Sequence, residues 1–277
     1  MTLYRTYIPG PPLADFVSLF WLYEGYELPH AKERVLPDGS MELVINLRED
    51  MIRVYDRQNT DQFQTLRGCV ISGAHAEFFV IDTASQASIM GIHFKAGGAF
   101  PFFKLPAEEL HDAHVSLDTL WGARADDLRD RLLEADSAET RFRILEQSLL
   151  AQAAGRLVRH PAVTFGLKAF QGMPLHANTR TVSEVTEQIG LSPRRFIQVF
   201  SEEVGLTPKL FCRVRRFQEV LGLIGRGQRV NWTQIALTCG YYDQAHFIHD
   251  FRSFSGLNPR AYLRQRGEHL NHVPLPG

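Results

Sequence analysis

Several absences narrow the reading of this chain before any motif is considered. Only three cysteines occur in 277 residues, Cys69, Cys212 and Cys239, and they lie far apart. An odd number at such spacing excludes a disulfide framework and a cysteine-clustered metal site, and fits three unpaired thiols in a reducing cytosol. No apolar run approaches the roughly 18 residues that a membrane-crossing helix needs. Met1 to Gly10 lack a basic stretch followed by an apolar core, so no secretory signal is expected and the chain reads as cytoplasmic. A net charge of −1 gives no overall surplus of positive charge. Disorder is also excluded, because hydrophobic residues make up 44% and charged residues 22%. The length suits two domains better than one.

The charge that is present is unevenly placed. From Pro174 to the end there are 13 Lys and Arg against 8 Asp and Glu, a local +5; the remaining residues hold 17 against 23. A basic module joined to an acidic one suggests one nucleic-acid-binding end and one end with another task. The acidic part begins β-rich. After the turn signal Pro37-Asp38-Gly39, Ser40 to Leu47 alternates with Met41, Leu43, Ile45 and Leu47 apolar. Gly68 to Ser72, Phe78 to Asp82 and Ala87 to Lys95 read as further strands, and several short strands of this kind predict a barrel or sandwich. Trp21, Tyr23 and Tyr26 are expected in its core. From Ala107 onward the period becomes helical, with Leu128, Leu132 and Leu133 on one face and Phe142, Leu145, Leu149 and Leu150 on another. Gln171 to Thr179, with Gly172, Pro174 and Asn178, reads as a linker. The expected division is 1–122 β-rich, 123–173 a helical connector or dimer contact, and 174–277 a separate helical domain.

That last domain contains one pattern written twice. The first copy runs Val185-Thr186-Glu187-Gln188-Ile189-Gly190, Ser192 to Phe200, and Gly205-Leu206-Thr207-Pro208. The second runs Ile235-Ala236-Leu237-Thr238-Cys239-Gly240, Asp243 to Phe251, and Gly256-Leu257-Asn258-Pro259. Each copy is a short helix, a turn at Gly and a second helix with Phe at i and i+4, which is a helix-turn-helix unit. Thr181 with Glu184 predicts a capping box, Ser192 an N-cap with Pro193 at the first helical position, Asn231 and Asp243 the caps of the second copy. Phe196, Val199 and Phe200 should face inward, as should Phe247, Phe251 and Phe254. Thr207-Pro208 opens a helix to about Ile224 that would hold the units apart. Successive major-groove faces lie roughly 34 Å apart, and a rod of about 15 residues spans roughly 22 Å.

Gly190, Phe196, Phe200, Gly205 to Pro208, Gly240 to Phe247, Phe251 and Gly256 to Tyr262 together resemble the AraC/XylS family of bacterial transcription regulators. The resemblance covers about Thr179 to Arg266 and implies two helix-turn-helix units carried on seven helices. It implies base contacts from Arg194, Ile197 and Gln198 in the first unit and from Ala245, His246 and His249 in the second. Many relatives carry Arg where His249 stands, so the second helix should bind more weakly, or depend on pH near ~6.5. The first third resembles an N-terminal module found on such regulators, through Pro11-Pro12-Leu13, Phe20-Trp21, Arg34 to Gly39, Glu42-Leu43, His93 to Gly98 and Pro101-Phe102. Sensor domains of the family are often small β-barrels of the cupin kind. The expected fold is therefore α+β: an N-terminal β-rich, barrel or cupin-like domain with a helical layer, then an all-α tandem helix-turn-helix domain.

The expected function is a sequence-specific transcription regulator, not an enzyme, whose N-terminal domain senses a small molecule or mediates dimerisation. Arg194, Arg195, Ile197, Gln198 and Ser201 of the first reading helix, and Gln244, Ala245, His246, His249 and Arg252 of the second, are the expected DNA-binding residues. Ile197 suits a thymine methyl. Arg213, Arg215 and Arg216 read equally as phosphate contacts or solvated charges. Arg34, Asp38, Glu42 and His93 are polar groups that could line a ligand cavity, against turn chemistry for Asp38 and solvent exposure for the others; Arg34, Glu42 and His93 are the effector-binding candidates. His111 and His114 share a metal-pair spacing, but no third ligand lies near, so neither metal nor cofactor is expected. The expected partners are double-stranded DNA, RNA polymerase, a small-molecule effector and a second copy of the chain, with no membrane. An alkyl-transfer repair enzyme is the competing class, and would need an activated cysteine.

Overall fold

Within the first 116 residues, short stretches that contain β-branched and aromatic residues pair as antiparallel strands. A computed structural model describes residues 3–25, 30–155, 157–171, 182–225 and 231–275. Its N-terminal strands are β1 (Leu3–Tyr7), β2 (Val17–Glu24), β3 (Lys32–Val35), β4 (Glu42–Asn46), β5 (Ile52–Tyr55), β6 (Phe63–Leu66), β7 (Cys69–Ser72), β8 (Phe79–Asp82), β9 (Ser88–Phe94) and β10 (His114–Ser116). A last strand, β11 (His272–Leu275), comes from the opposite end of the chain. Two sheets result, in the orders β1-β2-β9-β4-β7-β10 and β11-β3-β8-β5-β6. The four strands read from the sequence are β4, β7, β8 and β9, each within a residue or two of expectation.

The two faces of the first sheet have different fates. Met41, Leu43, Ile45 and Leu47 are buried together with Phe20, Leu22, Met90 and Ile92. They share a core with Leu117 and Trp121 of α1 (Leu117–Trp121), Leu128 and Leu132 of α2 (Ala123–Glu134) and Phe142, Leu145 and Leu149 of α3 (Ala138–Ala153). Phe142 stacks against Phe20 at 6.5 Å and against Tyr7 at 5.8 Å. The helical layer therefore sits on the outer face of this sheet. Trp21 and Tyr23, expected in the core of the barrel, face the space between the two sheets, because residues of opposite parity along β2 must face opposite sides of the sheet.

The C-terminal helices are α4 (Pro161–Gln171), α5 (Val182–Ile189), α6 (Pro193–Val204), α7 (Pro208–Gly225), α8 (Trp232–Thr238), α9 (Gln244–Ser255) and α10 (Pro259–Gln265). α4 packs on this group: Phe170 lies 6.4 Å from Phe196 and 5.9 Å from Phe200. The stretch read as one connector thus divides, with α2 and α3 on the β domain and α4 on the helical one. The expected cap Thr181, linker residues 172–179 and Tyr26 lie outside the described residues. No described helix is long and apolar enough to cross a membrane.

The helical domain is docked on the β domain by apolar contacts and by its own tail. Val204 and Phe211 are buried in the core that includes Ala74 and Ala107, and the Glu203 carboxylate accepts the His160 N–H at 2.8 Å. Beyond α10, β11 runs antiparallel to β3, with His272 opposite Val35 and Pro274 opposite Glu33. A proline is tolerated there because β11 is an edge strand, with one side free of ladder bonds.

Candidate nucleic-acid interface and barrel cavity

The sequence repeat is repeated in the hydrogen bonds that begin each helix. Ser192 Oγ accepts the Arg195 N–H at 3.3 Å to open α6, and Asp243 Oδ1 accepts the His246 N–H at 2.7 Å to open α9. Asn231 Oδ1 caps α8 through the Gln234 N–H at 3.1 Å. The tight turns before the reading helices fall at Gly190 and Gly240, whose φ angles of +69° and +73° belong to the left-handed region that glycine enters without strain. Phe196 and Phe200 in the first unit, and Phe247 and Phe251 in the second, are fully buried.

α7 joins the units as a strut. Phe200 meets Phe211 near its start at 5.7 Å, and Phe217 meets Phe251 and Phe254 further along, each at 5.2 Å. Arg213 on α7 donates to the buried Asp250 of α9 at 2.7 Å and lies over the Phe254 ring. Arg213 is thereby committed to holding the second unit against the strut. Arg216 lies over Tyr241 at 5.0 Å.

The outward faces of the two reading helices carry most of the expected DNA-binding residues. Arg194, Arg195, Ile197 and Gln198 are exposed on α6; Gln244, Ala245, His246, His249 and Arg252 are exposed on α9, with Ile248 beside them. Arg195 and Gln198 are joined at 3.0 Å, and Gln198 donates to Glu202 at 2.8 Å. Ser201 departs from expectation. It is buried, because the C-terminal half of α6 turns into the docking contact with the β domain. The exposed part of α6 is thus its N-terminal half, the part of a recognition helix that reaches base edges.

Between the two sheets lies a cavity of about 340 Å³. Strand register sorts its wall on the first sheet into rows. His114, Ser72, Glu42, His93 and Leu19 stand side by side across β10, β7, β4, β9 and β2. The next row holds Val70, Val44 and Trp21, and a third holds Ile89, Tyr23 and Tyr4. Val54, Phe79 and Ile81 face them from the second sheet. The first sheet's wall is polar along one row and apolar and aromatic along the next two, while Arg53, Asp82, Ser85, Gln86, His269 and His272 add polar groups elsewhere on the wall.

Of the effector candidates, Glu42 and His93 line this cavity and Arg34 does not. On β3 the alternation sends Val35 into the cavity and Arg34 to the opposite face, where its guanidinium lies 5.6 Å from the Phe78 ring. Glu42 accepts the Trp21 indole N–H at 2.7 Å and lies 3.6 Å from His93. Burial acts to lower the His93 pKa, but the Glu42 hydrogen bond and the charges of Asp38 and Glu42 outweigh it and raise the imidazole to about 9. His114, on the same row, behaves oppositely: burial and the neighbouring His75 push it down to about 3.

Residues that sequence reasoning missed complete the site. His269 and His272 line the cavity from the tail that follows α10. His272 pairs with Glu33 at 2.7 Å, and Glu33, 2% exposed, also bonds to Gln86 and His30. Burial acts to raise the Glu33 pKa, yet the hydrogen bond and charge of His272, helped by Gln86 and His30, hold it at about 2. A four-residue edge strand containing proline carries no sequence signal, so nothing pointed to this pairing.

Residues 185–265 match the helix-turn-helix domain family, and residues 5–116 match a domain of unknown function, DUF6597. No curated protein matches the chain. Among solved structures, ToxT from Vibrio cholerae bound to (E)-4-(8-methylnaphthalen-1-yl)but-3-enoic acid is similar at a TM-score of 0.47 and 10% identity, over 94% of this chain and 98% of that one. Unsaturated-fatty-acid-bound ToxT from the same organism is similar at a TM-score of 0.46 and 10% identity, over 95% of this chain and 94% of that one. The C-terminal domain of AraT, a response regulator from Geobacillus stearothermophilus, is similar at a TM-score of 0.36 and 22% identity, over 39% of this chain and 87% of that one. Residues 185–265 are thus a helix-turn-helix domain, carried behind an N-terminal domain of unknown function.

Proposed function

We propose that the chain is a sequence-specific transcription regulator whose β domain senses a small molecule. The observation that carries the DNA half is the pair of capped helices, α6 and α9, held by one strut with polar faces outward. In this reading Arg194, Arg195, Ile197 and Gln198 meet one segment of major groove, and Gln244, Ala245, His246, His249 and Arg252 meet the next. RNA polymerase and a second copy of the chain are the protein partners that the reading calls for.

The cavity supports the sensing half. A domain serving dimerisation alone would be expected to have a filled interior. Here about 340 Å³ stays open between the sheets, within the size range of small-molecule sites. Two of its lining residues, His269 and His272, belong to the tail of the DNA-binding part. A ligand in the cavity therefore touches both halves, and differential contact with two states is what shifting an equilibrium requires. An alkyl-transfer enzyme fits poorly: burial pushes the thiols of Cys69 and Cys239 up to about 12 and that of Cys212 to about 11, the reverse of nucleophile activation.

The test is selection from random duplexes of about 20 base pairs, long enough for two successive groove faces. A selected site should bind far better than bulk DNA, and Arg194→Ala should weaken it and reduce the salt slope by about 1. Failure to select any duplex over bulk DNA refutes the reading.

A further inference from the structure

Whatever occupies the barrel cavity must satisfy the groups that the protein leaves unsatisfied there, and those groups are neutral. Arg53, His93 and His272 of the wall each face an opposite charge already. Arg53 lies 3.7 Å from Asp82, His93 lies 3.6 Å from Glu42 and 3.4 Å from Asp38, and His272 lies 2.7 Å from Glu33. Counted with these partners, the wall has four carboxylates against three cations. An anion entering it would find Arg53, His93 and His272 already paired, and His269, also on the wall, engaged with the Tyr23 hydroxyl at 3.4 Å. An ammonium would have to displace His93 and the Trp21 indole from Glu42. Burying an unpaired charge costs far more than leaving it in water.

The unsatisfied polar atoms are of another kind. The Nε2 of His114 is buried without a hydrogen-bond partner among the described residues, and so is the hydroxyl of Ser85; both residues line the cavity. Buried polar groups are normally paired, so an unpaired one on a residue that lines the cavity is where a ligand atom would complete the bonding. His114 ends the polar row of the first sheet, with the Phe79 ring 4.5 Å away and the His75 ring 4.7 Å away. Its imidazole is held neutral by burial, so it recognises by hydrogen bonding and not by charge. Beyond that row the first sheet presents Val44, Val70 and Trp21, faced by Val54 and Ile81 of the second.

We propose that the cavity takes an uncharged, mainly apolar small molecule, a phenol, alcohol or ketone of modest size, whose single polar group is seated on His114 Nε2. This rests on the sensing reading above and adds the chemical class of the effector. Anions such as carboxylates and cations such as amines are excluded by the paired wall.

The experiment is calorimetric titration of the full chain at pH 7 with four molecules of one shape: 4-tert-butylphenol, tert-butylbenzene, 4-tert-butylbenzoate and 4-tert-butylbenzylammonium. The phenol should bind about three- to tenfold more tightly than the hydrocarbon, the difference one hydrogen bond makes, and at least tenfold more tightly than either ion. His114→Phe should bring the phenol down to the hydrocarbon's affinity and leave the hydrocarbon's unchanged. Tighter binding of the benzoate or the ammonium overturns the proposal, as does indifference of the phenol to His114→Phe or failure of all four to bind. Affinity for a selected duplex, measured with and without the phenol, separates this from the wider reading. Selective phenol binding with no change in DNA affinity sinks the sensing role and leaves the ligand class standing.

Discussion

Replacing Glu33 by Gln tests how the tail of the DNA-binding part is held to the β domain. Glu33 is 2% exposed and His272 is 38% exposed, 2.7 Å apart, on paired strands β3 and β11. Breaking a buried ion pair from one side costs roughly 3–5 kcal/mol, and the partial exposure of His272 places this pair at the lower end, about 3 kcal/mol. That is a large share of the roughly 5–15 kcal/mol that stabilises a domain. Urea unfolding of Glu33→Gln, His272→Gln and the double variant forms a cycle, with an expected coupling energy of about 1–2 kcal/mol. The pH dependence has a definite sign. Glu33 is held at about 2 against an ordinary 4.5, so its contribution is present above pH 4.5 and fades as pH falls toward 2. His272 is raised above 6.5 despite burial, by its hydrogen bond to Glu33 and the charges of Glu33, Glu42 and Asp38, so its contribution is present below pH 6.5 and fades as pH rises through the elevated value. The stability gap between the native chain and Glu33→Gln should therefore be widest between about pH 4.5 and 6.5. A coupling below about 0.5 kcal/mol, the additivity expected of independent sites, would refute the argument that this pair anchors the tail.

Other consequences follow from the same contacts. Phe247→Ala empties a site that Trp232, Tyr241 and Phe251 surround, and should cost about 3–5 kcal/mol in chemical denaturation. Gly256→Ala should destabilise the docked chain by a thermal shift, since φ there is +69° and an added Cβ would lie 2.5 Å from Phe78 Cε1; an unchanged melting temperature would argue that α9 does not rest on Phe78. Iodoacetamide at pH 8 should label Cys69, Cys212 and Cys239 slowly in the folded chain and quickly in urea, because burial raises all three thiols well above that pH.

The helix-turn-helix half was nearly all legible. Caps at Ser192, Asn231 and Asp243, glycines at turn positions and Phe at i and i+4 are local signals, and each took its expected conformation. Ser201 failed because its burial comes from docking against a distant segment, which no helical period encodes. In the β domain, alternation marked β4 and turn-bounded stretches marked β7, β8 and β9, while Trp21 and Tyr23, expected in the core, line the cavity between the sheets. Aromatic residues that line an empty cavity look, in sequence, like aromatic residues that fill a core. Arg34 was misplaced for the complementary reason: strand parity was known only once β3 had been located.

The order of residues alone therefore marked a β-rich part followed by a tandem helix-turn-helix module, because capping, turn chemistry and helical periodicity act over a few residues. Tertiary structure alone decided that His272 returns to pair with Glu33, 239 positions away, and that His114, Ser72, Glu42 and His93 form one row across four strands. Those neighbours are set by sheet register and by the balance of long-range burial, which depend on the whole folded chain and leave no mark in any short stretch of it.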